Sequence, residues 1–160
     1  MVVLKRKIKT SNKRLKLNLD FIVATKKTLP KGWGVFAKKI IVKCLNLKGV
    51  ERGDIGLTIV DDVAIKKLNK KFRKKNSVTD VLSFIYSFDR KIIVGDIIIC
   101  LPQAMRQAKK LKHPLGDELN ALLTHGTLHL LGFDHDGSKP KELMMAAEKL
   151  ILGGKRRLVS

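Results

Sequence analysis

The sequence is short of acidic residues, cysteine, aromatic rings and long apolar runs. Fourteen Asp and Glu stand against 34 Lys and Arg in 160 residues, a formal charge of +20. The shortage is uneven: residues 1–48 carry 14 basic residues and one acid, Asp20, a net +13. Such an excess makes a polyanion the default partner, nucleic acid before an anionic membrane, and specifies neither fold nor reaction. The two cysteines, Cys44 and Cys100, are far apart and lack a C-x-x-C partner, so they read as buried apolar thiols, not as a disulfide or metal ligands. The most apolar stretch, Ile92 to Leu101, is short and broken by Asp96, which excludes a membrane span. Lys5, Arg6 and Lys7 follow the first apolar residues directly, so no signal peptide is expected and the chain reads as cytoplasmic. With six Phe, one Tyr and one Trp, no basic patch interleaved with aromatics is visible. Affinity for a nucleic acid should therefore come mainly from phosphate contacts and be salt-sensitive.

What is present suffices for one folded domain. A chain of this length can bury roughly 68–70% of its unfolded surface, and 44% hydrophobic residues exclude wholesale disorder. After a basic arm over residues 1–15, Leu17, Leu19, Phe21 and Val23 recur at the period of a strand. Phe36, Ile40, Cys44 and Leu47 fall on one helical face, with Gly49 as its stop. A second strand is marked by Ile55, Leu57 and Ile59. Asp61 or Asp62 then caps a helix with the stripe Ala64, Leu68 and Phe72. Residues 73–79 read as a loop, residues 81–87 and 92–100 as paired strands, and three helices follow over about 102–112, 117–131 and 140–152. A basic tail closes the chain over residues 153–160. These elements predict a single α+β domain, a small mixed sheet of about four strands packed with about five helices.

Three of the four histidines lie within eleven residues: His125-Gly-Thr-Leu-His129-Leu-Leu-Gly132-Phe-Asp-His135. On a helix His125 and His129 share one face, and Gly132 can end that helix at positive φ so that His135 returns to the same point. Three imidazoles leave a coordination position open, the ligand count of a catalytic zinc site. The spacing also matches the metzincin protease template, with one difference. Gly126 stands where those enzymes carry the Glu that acts as general base. A hydrolytic reaction here must then rely on the metal to acidify water, with Asp134 and Asp136 the nearest carboxylates for orienting an imidazole or capping the following loop.

This histidine run resembles the signature of the YbeY family, the bacterial rRNA maturation factors described as single-strand-specific, metal-dependent endoribonucleases. Asn69-Lys-Lys-Phe72-Arg73, with Thr79-Asp80-Val81-Leu82-Ser83-Phe84, is similar to the family's second motif, and Gly95-Asp96-Ile97 to its third. Val78 and Ile85 stand where the family commonly has prolines. The resemblance implies a metzincin-like metal-binding core and a zinc ion (or nickel or another divalent metal) on His125, His129 and His135. It also implies an essential Arg73, and action on single-stranded RNA in 16S rRNA 3′ end maturation and ribosome quality control, with the small ribosomal subunit as partner.

The residues agree in part. Residues 66–75 hold Lys66, Lys67, Lys70, Lys71, Arg73, Lys74 and Lys75, a set that is either a solvated helix face or a row of phosphate contacts. Arg73 differs because Phe72, read as a buried anchor, precedes it at the helix end, and a planar fork so held suits one phosphate. Thr79 and Asp80 read as a turn pair and His113 as an ordinary surface residue. Asp96, inside an apolar strand, needs a partner and is a candidate to stand beside the metal ligands. Two rivals remain at this stage: a zinc metalloprotease, against which Gly126 and the charge argue, and a non-catalytic ribosome-assembly factor with a structural metal.

Overall fold

A computed structural model describes residues 15–133 and 138–154. Outside the described residues lie the basic arm except for Leu15, the tail from residue 155, and Asp134, His135 and Asp136. The chain runs β1 (Lys16–Ala24), α1 (Trp33–Leu47), β2 (Arg52–Val60), α2 (Asp62–Arg73), β3 (Val81–Asp89), β4 (Ile92–Cys100), α3 (Leu101–Leu111), α4 (Leu115–Leu130) and α5 (Ser138–Leu152). The sheet order is β1-β2-β4-β3, with β1, β2 and β4 parallel and β3 antiparallel at one edge. Parallel neighbours need a crossover, which α1 supplies between β1 and β2.

Alternation along the strands assigns the two faces. Ile55, Leu57 and Ile59 of β2, with Ile93, Ile97 and Ile99 of β4, are buried in the main core beside residues of α1, α4 and α5. On the opposite face Val60, Leu82 and Cys100 pack with Ile65 of α2 in a second, smaller cluster. Cys44 and Cys100 are both unpaired thiols and buried, as the sequence implied. Burial pushes each thiol up to about 12, so both stay protonated at neutral pH.

Two helical stripes differ from their sequence reading. In α1 the buried positions are Trp33, Ala37, Ile40, Ile41, Cys44 and Leu45, whereas Phe36 is exposed. Trp33 sets this rotation, because its indole N–H donates to Asn120 Oδ1 at 2.9 Å and draws the start of α1 onto α4. In α2 the buried positions are Ile65 and Asn69, and Phe72 is 54% exposed. The cap reading holds: Asp61 accepts from the Ala64 N–H at 2.8 Å.

Candidate metal centre

Helix α4 is sunk into the protein. From Glu118 to Leu130 every residue is buried except Asn120, His125 and His129. Its two threonines satisfy themselves, Thr124 and Thr127 donating to the carbonyls four residues back at 2.8 and 2.7 Å. Apart from Asn120, which accepts from the Trp33 indole, the two histidines are the polar side chains through which this buried stretch reaches solvent.

Gly126, between them, explains how the helix sits so deep. A Cβ there would lie 3.0 Å from Ile97 Cγ2, 3.0 Å from Ser83 Oγ and 3.2 Å from Val81 Cγ2. Its carbonyl accepts from the Ser83 hydroxyl at 3.1 Å, locking α4 to the edge strand β3. The position that a zincin protease fills with Glu is here pressed against the sheet, where even a methyl group would force its neighbours to give by a few tenths of an ångström.

The imidazoles converge as their i,i+4 spacing requires. His125 Nε2 and His129 Nε2 are 3.1 Å apart, with the ring planes at 76°. Two nitrogens about 2.0–2.1 Å from one tetrahedral ion would be roughly 3.3 Å apart, so the pair is spaced to share one. The rear nitrogen of His125 is also engaged: Nδ1 lies 2.8 Å from Glu148 Oε1 on α5, and both side chains are largely buried. A carboxylate on the far ring nitrogen holds the imidazole plane and leaves Nε2 to face a metal. His135 lies outside the described residues, so these supply two of the three expected ligands.

Glu148 was missed by the sequence reading, which looked for a supporting carboxylate at Asp134 and Asp136, also outside the described residues, and at Asp96. Its signal was faint, an acid in the last helix three residues before the buried Ile151. Asp96 is not beside the imidazoles. Its neighbours Gly95 and Ile97 face Leu130 and the Gly126 position on α4, so its own side chain points to the other sheet face. There its carboxylate accepts from the Tyr86 hydroxyl at 2.6 Å, the partner that an acid inside an apolar strand needs.

Residues 22–155 match the model of the family described as Endoribonuclease YbeY. The chain belongs to the YbeY endoribonuclease family. An Endoribonuclease YbeY of Persephonella marina is 39% identical over 116 residues, 69% of this chain and 74% of the relative. One from a Geobacillus species is 33% identical over 148 residues, 85% of this chain and 94% of the relative. The solution structure of TM1509 from Thermotoga maritima superposes with a TM-score of 0.56 at 21% identity, covering 85% of this chain and 90% of that one, a likeness of fold.

The other expected positions of this YbeY chain are dispersed. Lys66, Lys67, Lys70, Lys71, Arg73, Lys74 and Lys75 are all exposed along α2 and the turn after it. Arg73 has no hydrogen bond or ion pair among the described residues, so none joins it to an imidazole, and α2 covers the sheet face opposite α4. Phe72 is thus no buried anchor for Arg73; that task falls to Asn69. Asn69 is buried, its side-chain amide donates to Ser77 O at 2.8 Å, and its backbone carbonyl accepts from the N–H groups of Lys74 and Lys75. Lys74 takes a positive φ of 59° in this turn.

Thr79 and Asp80 form the expected turn: Asp80 accepts from the Val81 N–H at 2.8 Å and from the Gln107 side chain at 3.0 Å. His113 is no ordinary surface residue, since its Nε2 lies 3.0 Å from Oε2 of the fully buried Glu118. That pair lines a cavity of about 590 Å³ with Lys39, Lys43, Ala121 and Ile151, about one turn of α4 from His125.

Proposed function

We propose that this protein is a metal-dependent endoribonuclease that cleaves single-stranded RNA, its cellular substrate being ribosomal RNA at the 16S 3′ end. One observation carries the reading: two imidazoles spaced to share an ion, one of them backed by a buried carboxylate, in a family of endoribonucleases. His125, His129 and His135 hold a zinc ion or a similar divalent metal. Bound there, the ion supplies an acidified water or polarises a phosphoryl oxygen. Glu148 holds His125 in the plane that directs Nε2 outward. Asp134 and Asp136 are placed by sequence to do the same for His135. Gly126 offers no proton acceptor and fits no metalloprotease.

The remaining residues bind. Arg73, on the sheet face opposite α4, presents its guanidinium to one phosphate of the bound strand through charge-assisted hydrogen bonds. Lys66, Lys67, Lys70, Lys71, Lys74 and Lys75 hold flanking phosphates at longer range. The basic arm and tail add charge for holding the RNA of the small ribosomal subunit in the cytoplasm. No described helix is long and apolar enough to cross a membrane.

The test is cleavage of single-stranded and duplex RNA, with casein as the rival substrate, by protein with measured metal content. Cleavage should be confined to single strands, stop with chelator and return with added metal. His129→Ala should be inactive, and Arg73→Ala should bind and cleave single strands more weakly, both with unchanged circular dichroism. Full cleavage by metal-free protein, or by His129→Ala, would overturn the assignment.

A further inference from the structure

Three aromatic side chains that are scattered in the sequence lie on the sheet face opposite the histidines. Phe72 ends α2, while Phe84 and Tyr86 lie on β3. The ring centroids of Phe72 and Phe84 are 5.0 Å apart at 60°. Phe84 pairs across the sheet with Asp96, whose carboxylate accepts from the Tyr86 hydroxyl, so Phe84 and Tyr86 adjoin one position on β4 and Phe72 joins them through its contact with Phe84. Two local features mark this arrangement. A bulge between Ile85 and Ser87 leaves Tyr86 as the extra residue of β3, on the face that alternation from Leu82 and Phe84 already gives it. Opposite Asp96, β2 carries Gly56, where a methyl group would collide with Asp96 Oδ1, so glycine clears the space for the acid that holds Tyr86.

Although Phe84 is partly buried, Phe72 and Tyr86 are 54% and 64% exposed. Exposed rings held in place by a ring contact and a hydrogen bond present flat apolar faces at little entropic cost on binding. Their border is cationic. Lys71 Nζ lies 5.2 Å from the Phe72 ring centre, and Lys70, Arg73 and Lys74 are exposed beside it. Aromatic faces edged by cations are how proteins hold unpaired nucleic-acid strands, the bases stacking and the phosphates meeting the charges.

We propose that Phe72, Phe84 and Tyr86 form a stacking platform for one or two unpaired RNA bases, with the α2 cations on the adjoining phosphates. This rests on the reading that the protein acts on RNA, and it adds a preference for unpaired strands that phosphate contacts alone do not supply. It also adds base contacts to an affinity expected from composition to come mainly from phosphates.

The test uses fluorescence anisotropy with a phosphorothioate-linked oligoadenylate, which resists cleavage, and an abasic oligomer of the same length and linkage. The natural protein should bind the base-bearing strand more tightly. Phe72→Leu and Tyr86→Leu should each weaken that binding roughly tenfold while leaving abasic binding and the salt slope unchanged. Tyr86→Phe, which keeps the ring, should retain most of the affinity. Should Phe72→Leu fold poorly, Tyr86→Leu alone decides, because that side chain is mostly in solvent. Wild-type affinity in the Leu variants, or equal loss on both strands, would overturn the platform and leave the RNA reading standing. Failure of the natural protein to bind either strand would overturn both.

Discussion

Replacing Gly126 by alanine sets two opposed effects against each other at one atom. In a helix interior alanine is favoured over glycine by about 1 kcal/mol, because the glycine loses more backbone freedom on folding. Against this, the new Cβ would sit 3.0 to 3.2 Å from Ile97 Cγ2, Ser83 Oγ and Val81 Cγ2, where carbon atoms prefer about 3.5–4.0 Å. Ile97 and Val81 are β-branched, stiff at χ1, and sit on paired strands, so α4 must lift from the sheet by a few tenths of an ångström. Such overpacking costs about 1–3 kcal/mol, which leaves a net destabilisation of about 0–2 kcal/mol. Gly116, in the first turn of the same helix, is the control: nothing lies within 4 Å of its added Cβ. Gly116→Ala should therefore stabilise by up to about 1 kcal/mol. Urea unfolding of both variants, with equal m-values, measures the difference. A Gly126→Ala protein as stable as Gly116→Ala would refute the claim that close helix–sheet contact excludes a side chain at the position between the histidines.

Glu148→Ala should weaken metal binding roughly 10- to 100-fold in competition with a chromophoric chelator, without unfolding the chain; unchanged affinity would remove Glu148 from the centre. Lys66→Gln with Lys70→Gln should reduce the salt slope of single-stranded RNA binding by about 0.7 per charge, and raising salt should affect metal occupancy far less. Asp62 accepts two bonds from the Arg106 guanidinium, at 2.7 and 2.9 Å, which hold its carboxyl below the usual 3.8. The unfolded chain thus binds this proton more readily. The pair's contribution is present above about pH 3.8 and is lost as pH falls further, so Asp62→Asn should cost at most about 1 kcal/mol at pH 7 and less in acid. Cys44 and Cys100 should resist a thiol reagent at neutral pH until the chain unfolds; rapid labelling of native protein would contradict their burial.

Local periodicity carried much of the fold into the sequence. The existence of β1, whose inner face ends at Leu19 because Phe21 and Val23 are exposed, the alternation along β2, the Asp61 cap, and the left-handed glycines at Gly49 and Gly132 depend on residues within a few positions of one another. The i,i+4 spacing of His125 and His129 is of the same kind, because one turn of helix brings the two rings together whatever surrounds them. Whatever required a second element was hidden. Glu148 reaches His125 across 23 residues, and Trp33 rotates α1 by bonding to Asn120 across 87. Asp96 is turned from the histidines by sheet parity and taken up by Tyr86. Composition counted too few aromatics to see a binding surface, yet sheet parity and one helix end put three of them on a single face. The sequence by itself determined the charge, the elements and the histidine pair, since those follow from local covalent geometry. The tertiary structure alone decided which carboxylate backs the imidazole, why Gly126 admits no base, and on which faces Arg73 and the aromatic rings lie, because packing between elements sets those positions.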